Sequence, residues 1–379
     1  MTARRTSTTK LSGLIAKPDG SVARGTVTFT DRVTAIDLAS GEVGADYVLP
    51  GFVDLQVNGS HGIDVMNASP DALAALSRHL AREGTTAWLP TAVTSPIEKI
   101  ERVHNSIASA VEDSHRNESG DSAAFLGMHL EGPFISPRRL GAHPALNLEL
   151  RGDAFERVLA MSALRLITLA PELPGALDAI RQLVTRGVNV SIGHSDATLE
   201  EANAGIEAGA RMFTHLFNAM RPLNHRDPGV IAAALAPSAA IAALIPDGVH
   251  VHPAILRLAF DARGRGGMIL VTDKVALAQT SGTENTVGRG RATIRDGAAR
   301  LDDGTLAGSI ISMLDGVRVM VEQAGVRVGD AAVMAATNPA RLIGANDRGR
   351  IEVGTRADLI RLSPALELKS VFVGGREIS

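Results

Sequence analysis

Residues 50–59, Pro50-Gly-Phe-Val-Asp-Leu-Gln-Val-Asn-Gly59 (PGFVDLQVNG), form a short apolar run opened by Pro-Gly and closed by Gly, which reads as a β-strand. Alternation places Gln56 and Asn58 on one face at its end. Seven further apolar runs follow along the chain: 84–93 (GTTAWLPTAV), 123–132 (AAFLGMHLEG), 164–172 (LRLITLAPE), 188–194 (VNVSIGH), 211–218 (RMFTHLFN), 240–251 (AIAALIPDGVHV) and 267–273 (GMILVTD). Helical periodicity fills several of the gaps, at 71–83, 174–187, 198–209 and 252–263. Strands that are apolar on both faces and alternate with helices indicate a parallel sheet, and eight of them indicate a (β/α)8 TIM barrel, an α/β fold. An open doubly wound sheet is the competing architecture, but no glycine-rich dinucleotide loop follows an early strand.

Outside this region the texture changes. Residues 25–30 (GTVTFT) and 32–38 (RVTAIDL) are strand-like, as are 348–364 (RGRIEVGTRADLIRLSP) and 370–378 (SVFVGGREI). The expected division is therefore a small β-sandwich domain built from both ends, 1–49 plus 345–379, and a catalytic barrel over 50–344. The polar stretch 108–123 reads as a helix end and surface loop.

Composition narrows the function. The 379 residues carry 38 Lys+Arg against 41 Asp+Glu, a net charge of -3, and no basic run long enough for a nucleic-acid or membrane footprint. A small-molecule partner is expected. No cysteine is present, so a metal would sit on His and carboxylate, and a reducing cytoplasm is the expected location. The opening MTARRTSTTK and the LSGLIA after it lack a secretory apolar core, and no run reaches the roughly 20 apolar residues of a membrane span.

Each strand end carries a polar residue just past its apolar run: Glu131, His194, His215, His250 with His252, and Asp273. In a barrel these ends converge at one mouth. Glu131, His194 and His215 suit a divalent ion with an open position for water. Singly, each histidine reads more readily as an ordinary hydrogen-bonded residue than as a ligand, Glu131 as a turn cap and Asp273 as an N-cap or an ion-pair partner of Lys274; their coincidence is the signal. His61, His225 and His252 read as loop or helix-start residues, and His129 as a neighbour of the ligand layer.

The set GFVDLQVNG, HLEGPF, GAHPAL, SIGHSDAT, THLFNAM with HRDPG, DGVHVHP, LVTD, LAGS, ATNPA and GRIEVGTRADLI resembles, in order and over nearly the whole chain, the N-acetylglucosamine-6-phosphate deacetylases of the amidohydrolase superfamily. The resemblance implies one divalent ion per chain, zinc first with iron, cobalt or manganese as alternatives, held by Glu131, His194 and His215, with Asp273 as the catalytic carboxylate. It implies that the amino-sugar phosphate is held by Ala142 and His143, by Asn218, Ala219 and Arg226, by Asp247, Gly248, Val249 and His250, and by Leu306, Ala307 and Gly308. Gln56 and Asn58 stand where many amidohydrolases carry His-x-His for a second metal. A homodimer is implied, with Arg226 reaching across its interface, in amino-sugar catabolism and cell-wall recycling. Lys274 departs from the small residue usual there; alternation points it away from Asp273. The rival readings are the same chemistry on N-acetylgalactosamine 6-phosphate, a non-catalytic metal-binding barrel, and a sugar-phosphate isomerase.

Overall fold

The computed structural model describes residues 8–38, 44–116, 120–146 and 148–378. Parts of the expected terminal domain (1–7, 39–43, 379) and of the polar loop at 108–123 (117–119) therefore lie outside the described residues. The eight apolar runs form eight consecutive parallel strands: β1 (Phe52–Val57), β2 (Thr85–Val93), β3 (Met128–Glu131), β4 (Leu164–Leu169), β5 (Asn189–Ile192), β6 (Met212–Phe213), β7 (Ile241–Leu244) and β8 (Met268–Leu270). The ring closes just past β8. There Asp273 N donates to Gln56 O at 2.9 Å, Lys274 bridges Val57, and Thr272 Oγ1 donates to Asp54 Oδ2 at 2.6 Å.

The lack of alternation in the strand sequences follows from burial on both faces. Val53, Leu55, Ala87, Leu89, Leu166, Ala243 and Ile269 pack together inside the barrel. Their neighbours Phe52, Trp88, Leu130, Ile167, Val190 and Phe213 pack outward under the helices. Above the apolar interior lies a layer of hydroxyls: His129 Nε2 pairs with Thr168 Oγ1 at 2.9 Å, and Thr168 with Thr214 at 2.7 Å. The helices begin at recognisable caps. Ser69 accepts from Ala72 N ahead of Pro70–Arg82, and Thr198 forms a capping box with Glu201 ahead of Leu199–Ala208.

The two chain ends meet in one seven-stranded sheet, stitched by antiparallel pairing of Tyr47–Pro50 with Leu359–Leu362. It curls over itself. Phe29 and Phe372, on strands well separated in the sheet order, touch edge to face at 5.2 Å over a core that includes Ile15, Val27, Val48 and Leu359. Two elements lie beyond those expected from the sequence. The helix Ile97–Arg116 covers much of the stretch read as helix end and loop, and a three-stranded antiparallel sheet (Glu284–Val287, Gly290–Arg295, Ala298–Leu301) is inserted after β8. No described helix is long and apolar enough to cross a membrane.

Candidate active site

At the C-terminal ends of the strands a cavity of about 580 Å³ opens. Three buried side chains project into its floor. Glu131 ends β3, while His194 and His215 follow β5 and β6 by two residues each. Both histidines take left-handed backbone conformations, φ 48° and 28°, as does Asp273 at φ 49°. A residue with a side chain holds such a conformation only where its surroundings enforce it, and such residues gather at functional sites. Here the reversal turns each side chain from the strand direction into the mouth.

Glu131 Oε1 lies 3.1 Å from His194 Nε2 and 2.9 Å from His215 Nε2, and the two imidazole nitrogens are 3.2 Å apart. One ligand atom from each of these three buried residues lies within 4.8 Å of the other two, close enough to share a metal ion. Three donor atoms at that mutual spacing fit the ligand bonds of about 2.1 Å that a divalent ion makes. The surroundings match a cation. His194 Nδ1 donates to Arg139 O at 2.9 Å, which leaves its Nε2 lone pair facing inward. Burial drives the His194 imidazole down to about 4, so it is neutral, as a ligand must be. The Glu131 carboxyl is held well below its usual range, against its burial, by the imidazoles of His143, His194 and His215 gathered around it. His215 is raised despite its burial, through Glu131 and then Asp273. The cluster therefore stabilises positive charge at its centre.

Opposite the cluster stands Asp273, which Gln56 and Asn58 hold. Gln56 Nε2 donates to both Asp273 Oδ1 and Glu131 Oε1 at 3.0 Å, and Asn58 Nδ2 donates to Asp273 Oδ1 at 2.6 Å. The pairing of β1 with β2 slips between Asp54 and Val57, and this irregularity lets Gln56 reach the mouth next to inward-facing Leu55. Burial and the Glu131 carboxylate push the Asp273 carboxyl up to about 7. Lys274 turns the other way, its Nζ bonded to Glu83, so Asp273 is not its ion-pair partner.

Of the other residues singled out from the sequence as substrate-binding, Asp247, Gly248, Val249 and Arg226 do not line this cavity. Ala142, His143, Asn218, Ala219 and His250 line it, with Leu306, Ala307 and Gly308. His143 Nδ1 pairs with Thr94 Oγ1 at 2.7 Å, and its Nε2 lies 3.8 Å from Glu131 Oε2. Asp247 accepts from His250 Nδ1 at 2.6 Å and from the backbone N–H of Val249 and His250, in a turn where Gly248 takes φ 75°. His252 caps the helix Pro253–Arg263, and His61 sits in the loop after β1. Arg226 is exposed and does not line the cavity. It has no carboxylate partner among the described residues, because Asp227 pairs with Arg221.

Sequence reasoning passed over three contributors. Thr94 and the Arg139 carbonyl orient His143 and His194, and neither residue type signals that role. The inserted sheet forms part of the wall through Asn285–Gly288, and Arg289 N donates to Ala142 O at 2.9 Å. Its Asp296-Gly297 turn between two short strands was a legible hairpin signal.

Residues 47–378 match the amidohydrolase family. The chain is 36% identical over 348 residues to the N-acetylgalactosamine-6-phosphate deacetylase of Escherichia coli O157:H7, covering 91% of each. It is 35% identical over 362 residues to the N-acetylglucosamine-6-phosphate deacetylase of Vibrio furnissii, covering 93% of this chain and 89% of the other. Among solved structures, a variant of the Mycobacterium smegmatis N-acetyl-D-glucosamine-6-phosphate deacetylase in complex with N-acetyl-D-glucosamine 6-phosphate superposes with a TM-score of 0.90 at 32% identity, covering 98% of this chain and all of the other.

Proposed function

The chain belongs to the amidohydrolase family, and from that we propose that it hydrolyses the N-acetyl group of N-acetylglucosamine 6-phosphate, consuming water and yielding glucosamine 6-phosphate and acetate. The observation that carries this reading is one cavity with a Glu131/His194/His215 triangle on one side and an Asp273 held by the Gln56 and Asn58 amides on the other. Amide hydrolysis needs help at both ends, because water attacks weakly and an amine leaves poorly. A divalent ion on the triangle, when bound, polarises the carbonyl and acidifies water. Asp273 accepts the proton of the attacking water and returns it to the departing nitrogen, one carboxylate serving as base and then acid.

One ion per chain is the reading Gln56 and Asn58 support. Their N–H groups already occupy the Glu131 and Asp273 oxygens on the side where a second ion would compete. Zinc heads the candidates, with iron, cobalt and manganese also accepting two imidazoles and a carboxylate. His143, anchored by Thr94, and His250, anchored by Asp247, present their remaining ring nitrogens to sugar or phosphate oxygens. Exposed Arg226, unpaired with any described carboxylate and outside its own chain's cavity, fits a phosphate contact made across a homodimer interface. The setting is a cytoplasmic enzyme of amino-sugar catabolism and cell-wall recycling.

Epimer choice has a second reading, favoured by the equally similar galactosamine relative. The deciding experiment measures acetate release from N-acetylglucosamine 6-phosphate and N-acetylgalactosamine 6-phosphate, each with and without a chelator. Preference for the galacto epimer selects the second reading, and release from neither refutes both.

A further inference from the structure

Lys274 follows the carboxylate that the proposed reaction uses, yet no step of that reaction employs it. Its side chain is 1% exposed, and its Nζ donates to Glu83 Oε2 at 2.5 Å. Glu83 caps the C-terminus of the helix Pro70–Arg82. Its other oxygen has no hydrogen-bond partner and lies 3.6 Å from His61 Nε2, and the His61 ring stacks on His79 of the same helix at 4.1 Å. The ion pair thus ties the seam where the barrel closes to the first helix outside it.

The main chain at that seam is organised around Lys274. Its carbonyl accepts from Asn58 N at 2.9 Å and Gly59 N at 3.0 Å, and it forms parallel bridges to both Val57 and Ser309. Asn58, held in this way, donates its side-chain amide to Asp273. Asp273 keeps a left-handed backbone, with Gln56 O accepting from its N–H and Ser309 N–H donating to its carbonyl. Such a conformation persists only when the surrounding contacts over-determine it. A buried ion pair is no better for stability than an apolar pair of similar volume, but it is directional. We propose that Lys274, acting through Glu83, is a positioning residue. The tether holds the turn so that the Asp273 carboxylate stays against the Gln56 and Asn58 amides and faces the cavity.

This inference rests on the deacetylase reading, and wild-type acetate release tests that reading first. The variant that separates positioning from stability is Lys274→Met combined with Glu83→Gln, which removes the tether without stranding a buried charge. The expected result is a Tm, metal content and KM close to wild type with kcat lower by about 10- to 100-fold, the scale of a small misplacement of a catalytic group. Lys274→Arg, which keeps the charge, retains most of kcat. If the double variant does not fold, Glu83→Asp, which keeps both charges and shortens the tether, is read in the same way. A folded tether variant whose kcat stays within about twofold of wild type, or whose loss appears in KM instead, overturns the positioning role while leaving the deacetylase reading intact. A wild-type chain that releases no acetate removes both.

Discussion

Replacing Asp273 by asparagine separates what this residue does for catalysis from what it costs the fold. Its Oδ1 is already occupied by two donors, Gln56 Nε2 and Asn58 Nδ2. An asparagine oxygen can keep both while its NH2 takes the place of Oδ2. Substrate affinity should therefore survive, and kcat should fall by roughly 10²- to 10⁴-fold, the contribution of a positioned acid-base group. The stability effect has the opposite sign. The carboxyl is raised from 3.8 to about 7 by burial and by Glu131, so the folded chain holds this proton where the unfolded chain has released it. The stabilisation from a buried neutral acid is complete below 3.8 and is lost as the pH rises through about 7. At roughly 1.4 kcal/mol per unit, that rise amounts to roughly 4 kcal/mol in chelator-treated protein above neutrality. An amide does not carry that cost. Chelated Asp273→Asn protein should melt several degrees above chelated wild type at pH 8, with the gap narrowing steadily towards pH 5. Turnover is followed by acetate release, affinity by calorimetry and Tm by scanning at each pH. Turnover within tenfold of wild type, or a Tm gap that does not change with pH, would refute the assignment.

Removing the ion with a chelator should abolish acetate release and lower Tm, with both restored by added Zn²⁺ or Co²⁺. Elemental analysis of active protein should return one ion per chain; two would show that Gln56 and Asn58 do not block a second site. Arg226→Ala should raise KM for the phosphorylated sugar far more than for plain N-acetylglucosamine, and dilution to monomer should mimic it; equal effects on both sugars would deny it a phosphate contact. Ser77→Ala should destabilise by about 1–3 kcal/mol in denaturant unfolding, because the buried Trp88 indole donates to Ser77 Oγ at 3.0 Å and would lose its acceptor. No measurable loss would mean that another acceptor takes the Trp88 proton.

The barrel was legible in the sequence because its strands are buried on both faces. That local fact leaves near-continuous apolar runs such as Met268-Ile-Leu-Val271 after Gly267 and Ala240-Ile-Ala-Ala-Leu-Ile245 before Pro246, and the intervening helices leave a 3.6-residue period. The positions of Glu131, His194, His215 and Asp273 just past those runs were legible for the same reason, since parallel strands bring their C-terminal ends to one mouth. Less local features were hidden. The inserted sheet is short and does not stand out by hydrophobicity, whereas the helix Ile97–Arg116 carries a helical stripe at Ile97, Ile100, Val103, Ile107 and Ala110 that was legible. Nothing in a histidine or an aspartate announces a positive φ, yet His194, His215 and Asp273 all take one. That conformation is unfavourable in isolation and is imposed by contacts with residues far away in the chain. The pairing of Lys274 with Glu83, 191 positions earlier, likewise exists only because the ring closes and brings β8 beside β1. Periodicity and spacing therefore determined which residues stand at the mouth. Closure of the ring decided how each is aimed, because the aim is set by long-range hydrogen bonds that no local stretch of sequence contains.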